Sequence, residues 1–183
     1  MIADRFTERL VANIENLKVG DPLDPSTDDG PLITPADRDR VKDWIDEAVA
    51  VGAKLIVGGE LVDEGRCLAP TLLKAPPKEA KVWCEEIFGP VATIDTFADF
   101  DEALRLANDS KFGLQAGVFT SDVGRALEAS RELEFGGVLI NEVPTFRADQ
   151  QPYGGVKDSG NTREGPAYAV YELTEERFVT LQG

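Results

Sequence analysis

Between Val91 and Ile140 the chain alternates in a way that few architectures can use. Three short apolar runs, Val91–Phe97, Ala116–Phe119 and Gly137–Ile140, are separated by two stretches of helical spacing, Asp99–Asn108 and Ser121–Leu133. Short β-prone runs bounded by turn residues read as strands, and apolar residues three and four apart read as the inner face of a helix. Asp99 and Glu102 form a capping pair at the start of the first helix, and Val123, Ala126, Leu127 and Leu133 give the second its apolar face. Strand–helix–strand–helix–strand at this spacing predicts parallel strands joined by right-handed crossovers. The expected fold is therefore α/β, a mostly parallel sheet with flanking helices.

The segments before Val91 add two helices and two strands. Ile2, Phe6, Leu10, Ile14 and Leu17 mark an amphipathic helix that stops near Lys18–Gly20, followed by a turn-rich loop from Gly20 to Pro31. Thr34-Pro35-Ala36-Asp37 supplies an N-cap, a proline at the first helical position and a carboxylate at the third. Val41, Trp44, Ile45, Ala48 and Val49 then give that helix its apolar face, and Gly52 suits its C-terminal stop. Ala53–Val57, ended by Gly58-Gly59, reads as a strand, as does Thr71–Leu73 before Pro76-Pro77. After Ile140 the chain reads mainly as loop to Gly160, then a short helix near Glu164–Glu172 and a last strand, Glu176–Leu181. No linker interrupts the pattern, so one domain is expected, with the last strand free to pair with another subunit.

Composition removes whole classes of chemistry. Nineteen Lys and Arg against thirty-four Asp and Glu leave a net charge of −15, which repels polyanions, so neither nucleic acid nor an anionic membrane surface is an expected partner. No run approaches the ~18 apolar residues of a membrane span, and Met1-Ile2-Ala3-Asp4-Arg5 does not open a secretory signal, so a cytoplasmic location is expected. The sequence has no histidine and only two cysteines, Cys67 and Cys84. That excludes Ser-His-Asp and Cys-His catalysis, histidine-based metal sites and a four-cysteine zinc site, so no metal is expected. Cys84 directly precedes Glu85 and Glu86, anions that raise a thiol pKa, and Cys67 reads as a small apolar filler. Neither is expected to be a nucleophile.

Several loops invite a binding role. No Gly-x-Gly-x-x-Gly fingerprint occurs, and the run Gly155–Thr162 has phosphate-loop spacing but carries Asn161 where the essential lysine belongs. Glu85-Glu86-Ile87-Phe88-Gly89-Pro90 leads through a turn into a strand; it suits either a carboxylate that accepts two bonds from a ribose diol or a solvated acidic turn. Arg147 lies in the loop after a strand, where ligands of open α/β sheets sit; it suits either an anion clamp or a surface ion pair with Asp149. Tyr153-Gly154-Gly155 suits either an aromatic pocket wall or ordinary loop packing.

Taken together, segments spread nearly end to end resemble the C-terminal part of the aldehyde dehydrogenases. They are Val19-Gly20-Asp21-Pro22-Leu23, Gly30-Pro31, Gly52-Ala53-Lys54-Leu55, Gly58-Gly59, Pro70-Thr71, Glu85 to Val91, Phe112-Gly113-Leu114 and Val118-Phe119-Thr120. Gly136-Gly137-Val138, Ile140-Asn141, Pro152 to Lys157, Ser159-Gly160, Arg163-Glu164-Gly165 and Tyr171 complete the series, in order. Val143-Pro144-Thr145-Phe146-Arg147-Ala148-Asp149 resembles the branch acting on lactaldehyde, succinate semialdehyde or glyceraldehyde-3-phosphate.

The resemblance implies a C-terminal aldehyde dehydrogenase-like fold truncated at its N-terminus, with residues 1–171 a partial catalytic domain and 172–183 an oligomerisation strand. It implies oxidation of an aldehyde with NAD⁺ or NADP⁺ through a cysteine thioester. Glu86 then matches the residue binding the nicotinamide ribose and Phe88 the aromatic beside it. Thr145, Phe146, Arg147, Asp149 and Tyr153 match the aldehyde pocket wall, with Arg147 suited to an anionic substrate group. The family's nucleophilic Cys, general-base Glu, oxyanion Asn and dinucleotide-binding domain all precede the first helix seen here. The chain alone is therefore expected to lack catalytic residues, to bind NAD⁺ or NADP⁺ weakly or not at all, and to oxidise no aldehyde. A homo-oligomer is expected, or assembly with the missing N-terminal part or a full-length relative. The alternative is a non-catalytic truncated homologue acting as an oligomerisation or regulatory module.

Overall fold

A computed structural model describes residues 2–183. The first compact unit extends to Thr96 and the second runs from Phe97 to Gly183, where the sequence pattern marks no boundary.

The first unit holds α1 (Ile2–Glu15), α2 (Pro35–Ala50), β1 (Lys54–Val57), β2 (Leu61–Val62), β3 (Cys67–Leu68), β4 (Thr71–Lys74), α3 (Lys81–Cys84) and β5 (Val91–Ile94). α2 starts where its sequence says: the Thr34 hydroxyl accepts the Asp37 N–H at 3.1 Å, satisfying a donor that the helix leaves open. It ends at Gly52, whose φ of +117° suits a residue without a Cβ. Val41, Ile45 and Ala48, four and three apart, face Ala53, Leu68, Leu73 and Val82 to make a dry core. Beneath them β4 sits between β1 and β5, antiparallel to the first and parallel to the second. Thr71 is the buried polar residue here, and both functions of its hydroxyl are used. It donates to the Ala69 carbonyl at 2.7 Å and accepts the Gly59 N–H at 2.9 Å.

The second unit holds α4 (Phe100–Asn108), β6 (Phe112–Gly113), β7 (Gln115–Val118), α5 (Val123–Glu132), β8 (Gly137–Ile140), β9 (Val156–Lys157) and α6 (Pro166–Leu173). Asp99 caps α4 by accepting the Glu102 N–H at 2.8 Å, and the Glu102 carboxylate accepts from Ala98 N–H. β7 and β8 pair in parallel over four residues, and Leu104, Ala129 and Leu133 pack with Ala116, Val118 and Val138.

Two sequence expectations change. The expected run of parallel strands from Val91 to Ile140 is divided: β5 takes β4 as its parallel partner, and β7 takes β8. Residues 174–183, which include the expected strand Glu176–Leu181, form neither helix nor strand, and α6 runs through Leu173, two residues into the 172–183 oligomerisation stretch. A strand exists only with a partner ladder, and no strand of this chain supplies one there among the described residues. No described helix is long and apolar enough to cross a membrane.

Candidate functional site

The acidic loop lies in the first unit, between α3 and β5. Ile87 packs against the core, and its carbonyl accepts a hydrogen bond from Arg40 of α2 at 3.0 Å. Arg40 is itself fixed, its guanidinium 4.6 Å from the Trp44 ring centre. Ile87 is thus held from inside while its two neighbours face out. Glu86 is exposed and has no protein partner among the described residues. Phe88 is 69 % exposed and takes a φ of +50°, a conformation a bulky side chain adopts only when its surroundings force it. Gly89 follows, and a Cβ there would press on Val41 at 3.1 Å. The arrangement therefore presents a free carboxylate and a free aromatic face on a rigid turn. A carboxylate of this kind can accept two bonds from a diol, and an exposed aromatic face can pack on a flat ring.

The second group lies in the second unit, along β8 and the loop that follows it. A cleft of about 590 Å³ is lined by Gly137–Ile140, Phe146, Arg147 and Tyr153, among others. Tyr153 reaches it because its backbone pairs antiparallel with Glu164, N–H to carbonyl in both directions at 3.1 and 2.6 Å. Such a close return needs residues without side chains: a Cβ on Gly154 would lie 2.2 Å from the Thr162 carbonyl oxygen. Arg163 fastens the turn by donating to the Gly155 carbonyl at 2.8 Å.

Arg147 stacks over Tyr153, 4.6 Å from its ring centre, and pairs with Glu164 at 2.7 Å. Its ion-pair partner is therefore Glu164 and not Asp149, as the surface-pair reading had it. Asp149 lines a second cleft of about 630 Å³, together with Arg147, Arg163, Glu164 and Glu172. Phe146, Arg147 and Tyr153 thus converge on one cleft, Asp149 faces another, and Thr145 is exposed and lines neither.

The two cysteines sit in different surroundings. Cys67 is fully buried, and burial together with the nearby Asp63 carboxylate pushes its thiol pKa up, the reverse of what a nucleophile needs. Cys84 is half-buried, with its sulfur 3.7 Å from the Glu79 carbonyl.

Glu164 belongs to the family-like run Arg163-Glu164-Gly165, with no site role expected of it from sequence. It lies seventeen residues from Arg147, and no local spacing rule links them; only the return of the chain beside Tyr153 does. No site role is expected of Asn141 from sequence either. Its side-chain amide accepts the Thr120 N–H at 2.8 Å and donates to the Thr120 carbonyl at 2.9 Å, tying the ends of β7 and β8 beside the cleft.

The sequence profile of the aldehyde dehydrogenase family matches residues 1–179. The chain belongs to the aldehyde dehydrogenase family. This aldehyde dehydrogenase segment is 44 % identical to the 3-sulfolactaldehyde dehydrogenase of Priestia aryabhattai, over 96 % of its own length and 36 % of that protein. Its backbone superimposes on aldehyde dehydrogenase 21 of Physcomitrella patens, solved with the reaction product succinate. The TM-score is 0.90 and the identity 42 %, covering 94 % of this chain and 35 % of that one. For the glyceraldehyde-3-phosphate dehydrogenase of Methanocaldococcus jannaschii, solved with NADP, the TM-score is 0.87 and the identity 38 %, with 94 % and 37 % covered. The segment thus spans about a third of the length of the aldehyde dehydrogenases it matches.

Proposed function

We propose that this chain is the C-terminal part of an enzyme that oxidises an aldehyde carrying an anionic tail, using NAD⁺ or NADP⁺. The observation that carries the reading is the cleft along β8, where Phe146 and Tyr153 supply apolar walls, Arg147 a cation stacked on Tyr153, and Glu142 the acid on the lining. An aldehyde with a carboxylate or sulfonate at its far end suits that combination, since the guanidinium is permanently charged and forks toward planar or tetrahedral oxyanions. Relatives named for 3-sulfolactaldehyde, and one holding succinate, support the same substrate class. When bound, the cofactor supplies the hydride acceptor. Glu86 holds its ribose hydroxyls through the free carboxylate, and Phe88 covers the sugar.

The division of labour follows from the residues present. By the family resemblance, the nucleophilic thiolate, the water-activating carboxylate and the dinucleotide domain lie in the part that these 183 residues do not span. Cys67 is enclosed, and Cys84 is half-buried with its sulfur 3.7 Å from the Glu79 carbonyl oxygen. The purified 183-residue chain, given succinate semialdehyde or lactaldehyde with NAD⁺ or NADP⁺, is expected to show no rise in absorbance at the reduced-nicotinamide band. Aldehyde-dependent reduction of either cofactor would overturn this assignment.

A second reading, assembly, is favoured by the terminal segment. Phe178 and Leu181 are 92 % and 93 % exposed, in a stretch with no ladder of its own. Apolar residues left out in an unpaired stretch recruit a strand from elsewhere. Sedimentation velocity of the chain should show a dimer or larger species, and removal of residues 174–183 should shift it toward monomer. An unchanged distribution after truncation would remove the tail from the assembly.

A further inference from the structure

We propose that Glu164 is a positioning residue for the substrate's anionic tail, one that fixes Arg147 and Tyr153 together. The proposal rests on the reading of the cleft along β8 as the aldehyde pocket. Three contacts close a triangle. The Glu164 main chain pairs with the Tyr153 main chain at 3.1 and 2.6 Å, which fixes the ring. The Glu164 carboxylate holds Nη2 of Arg147 at 2.7 Å. The guanidinium in turn lies over that same ring at 4.6 Å.

Without Glu164 the cation has little else to hold it. Residues 141–147 are all exposed, and Arg147 makes no other hydrogen bond among the described residues. Arg147 also lines both clefts, whereas Tyr153 lines only the first and Glu164 only the second. The carboxylate thus anchors the guanidinium from the second cleft and leaves its remaining N–H groups for an anion. An untethered arginine would lose rotamer freedom each time it bound one. Repulsion between Glu164 and that anion is the opposing effect. Glu164 is 60 % exposed and Arg147 46 %, and Glu142 also lines the first cleft, so solvent screens the repulsions and the ion pair alike, and the sign of the succinate response decides which effect wins.

The test uses the uniformly ¹⁵N-labelled 183-residue chain. Order of the Arg147 Nε–Hε group is measured by relaxation, its signal assigned through Arg147→Lys, and sodium succinate is titrated as the probe. Glu164→Ala removes charge and acceptor, whereas Glu164→Gln removes only the charge. Glu164→Ala should mobilise Arg147 and weaken the succinate response by about threefold, the scale of an exposed pair. Glu164→Gln should restore most of both, because its amide oxygen still accepts from the guanidinium. Unaltered amide signals for Tyr153 and Gly155 show that the paired backbone survives. If Glu164→Ala leaves Arg147 as ordered as before, or binds succinate as well or better, the positioning role is wrong. If the wild-type chain ignores succinate, the pocket reading falls, and the Arg147 order in the variants still decides the positioning role.

Discussion

Gly136→Ala should unfold the second unit or cost it about 4 kcal/mol or more, well above an ordinary substitution. A Cβ at Gly136 would stand 1.7 Å from the carbonyl oxygen of Gly154 and 2.7 Å from its carbon. Both are backbone atoms, so no rotamer change relieves the clash. The neighbourhood is also pinned: the Gly136 N–H donates to the Gly113 carbonyl at 3.0 Å, and the Gly137 N–H to Leu114 at 3.1 Å. Separating the two backbones would break the entry to β8 and the approach of Tyr153 to the cleft. Gly137→Ala is the control. Its Cβ would meet nothing nearer than the Gln115 side chain at 3.5 Å, an ordinary contact, so its effect should stay within about 1 kcal/mol. Urea denaturation with amide signals from both units reads the difference; a Gly136→Ala chain as stable as its control would show that the close approach is not maintained.

Ile45→Ala should cost the first unit about 2–5 kcal/mol, the range for removing a large aliphatic side chain from a closed core. Ile45 is 1 % exposed and packs with Val41, Ala48, Leu68 and Leu73, between α2 and the strands under it. These neighbours sit on different elements, so the void cannot close by one helix shifting. Ile33→Ala is the matched surface change, since Ile33 is 92 % exposed, and should stay within about 0.5 kcal/mol. The check is the shift in urea midpoint at constant slope. Equal midpoints for the two variants would mean that the α2 face is not a packed core.

The elements legible in the sequence are those whose ends carry their own chemistry. Thr34 and Asp99 cap where a hydroxyl or carboxylate precedes a helix, and Gly52 stops one where a positive φ is needed. The pairs β2–β3 and β6–β9 were missed because two residues are too few to show a period of two. The expected last strand, Glu176–Leu181, rests on one segment alone, whereas a ladder is a property of two. The cleft shows the same limit. Residue type and family likeness point to Phe146, Arg147 and Tyr153, and these three line one cleft. They give Glu164 no site role, because an ion pair across seventeen residues depends on how Gly154 and Gly155 let the chain double back.

The amide of Asn141 stands in for a peptide unit. It takes the hydrogen-bond positions that one more residue of β8 would have used against Thr120, while its own backbone, at a φ of +57°, already turns away. The sheet is thereby continued by a side chain at the point where the main chain leaves it. Few residues meet both demands: glycine accepts the turn without the bonds, and aspartate accepts a hydrogen bond without donating one. The direction in which the loop bearing Phe146 and Arg147 departs is thus decided at one position, before any substrate-facing residue is reached.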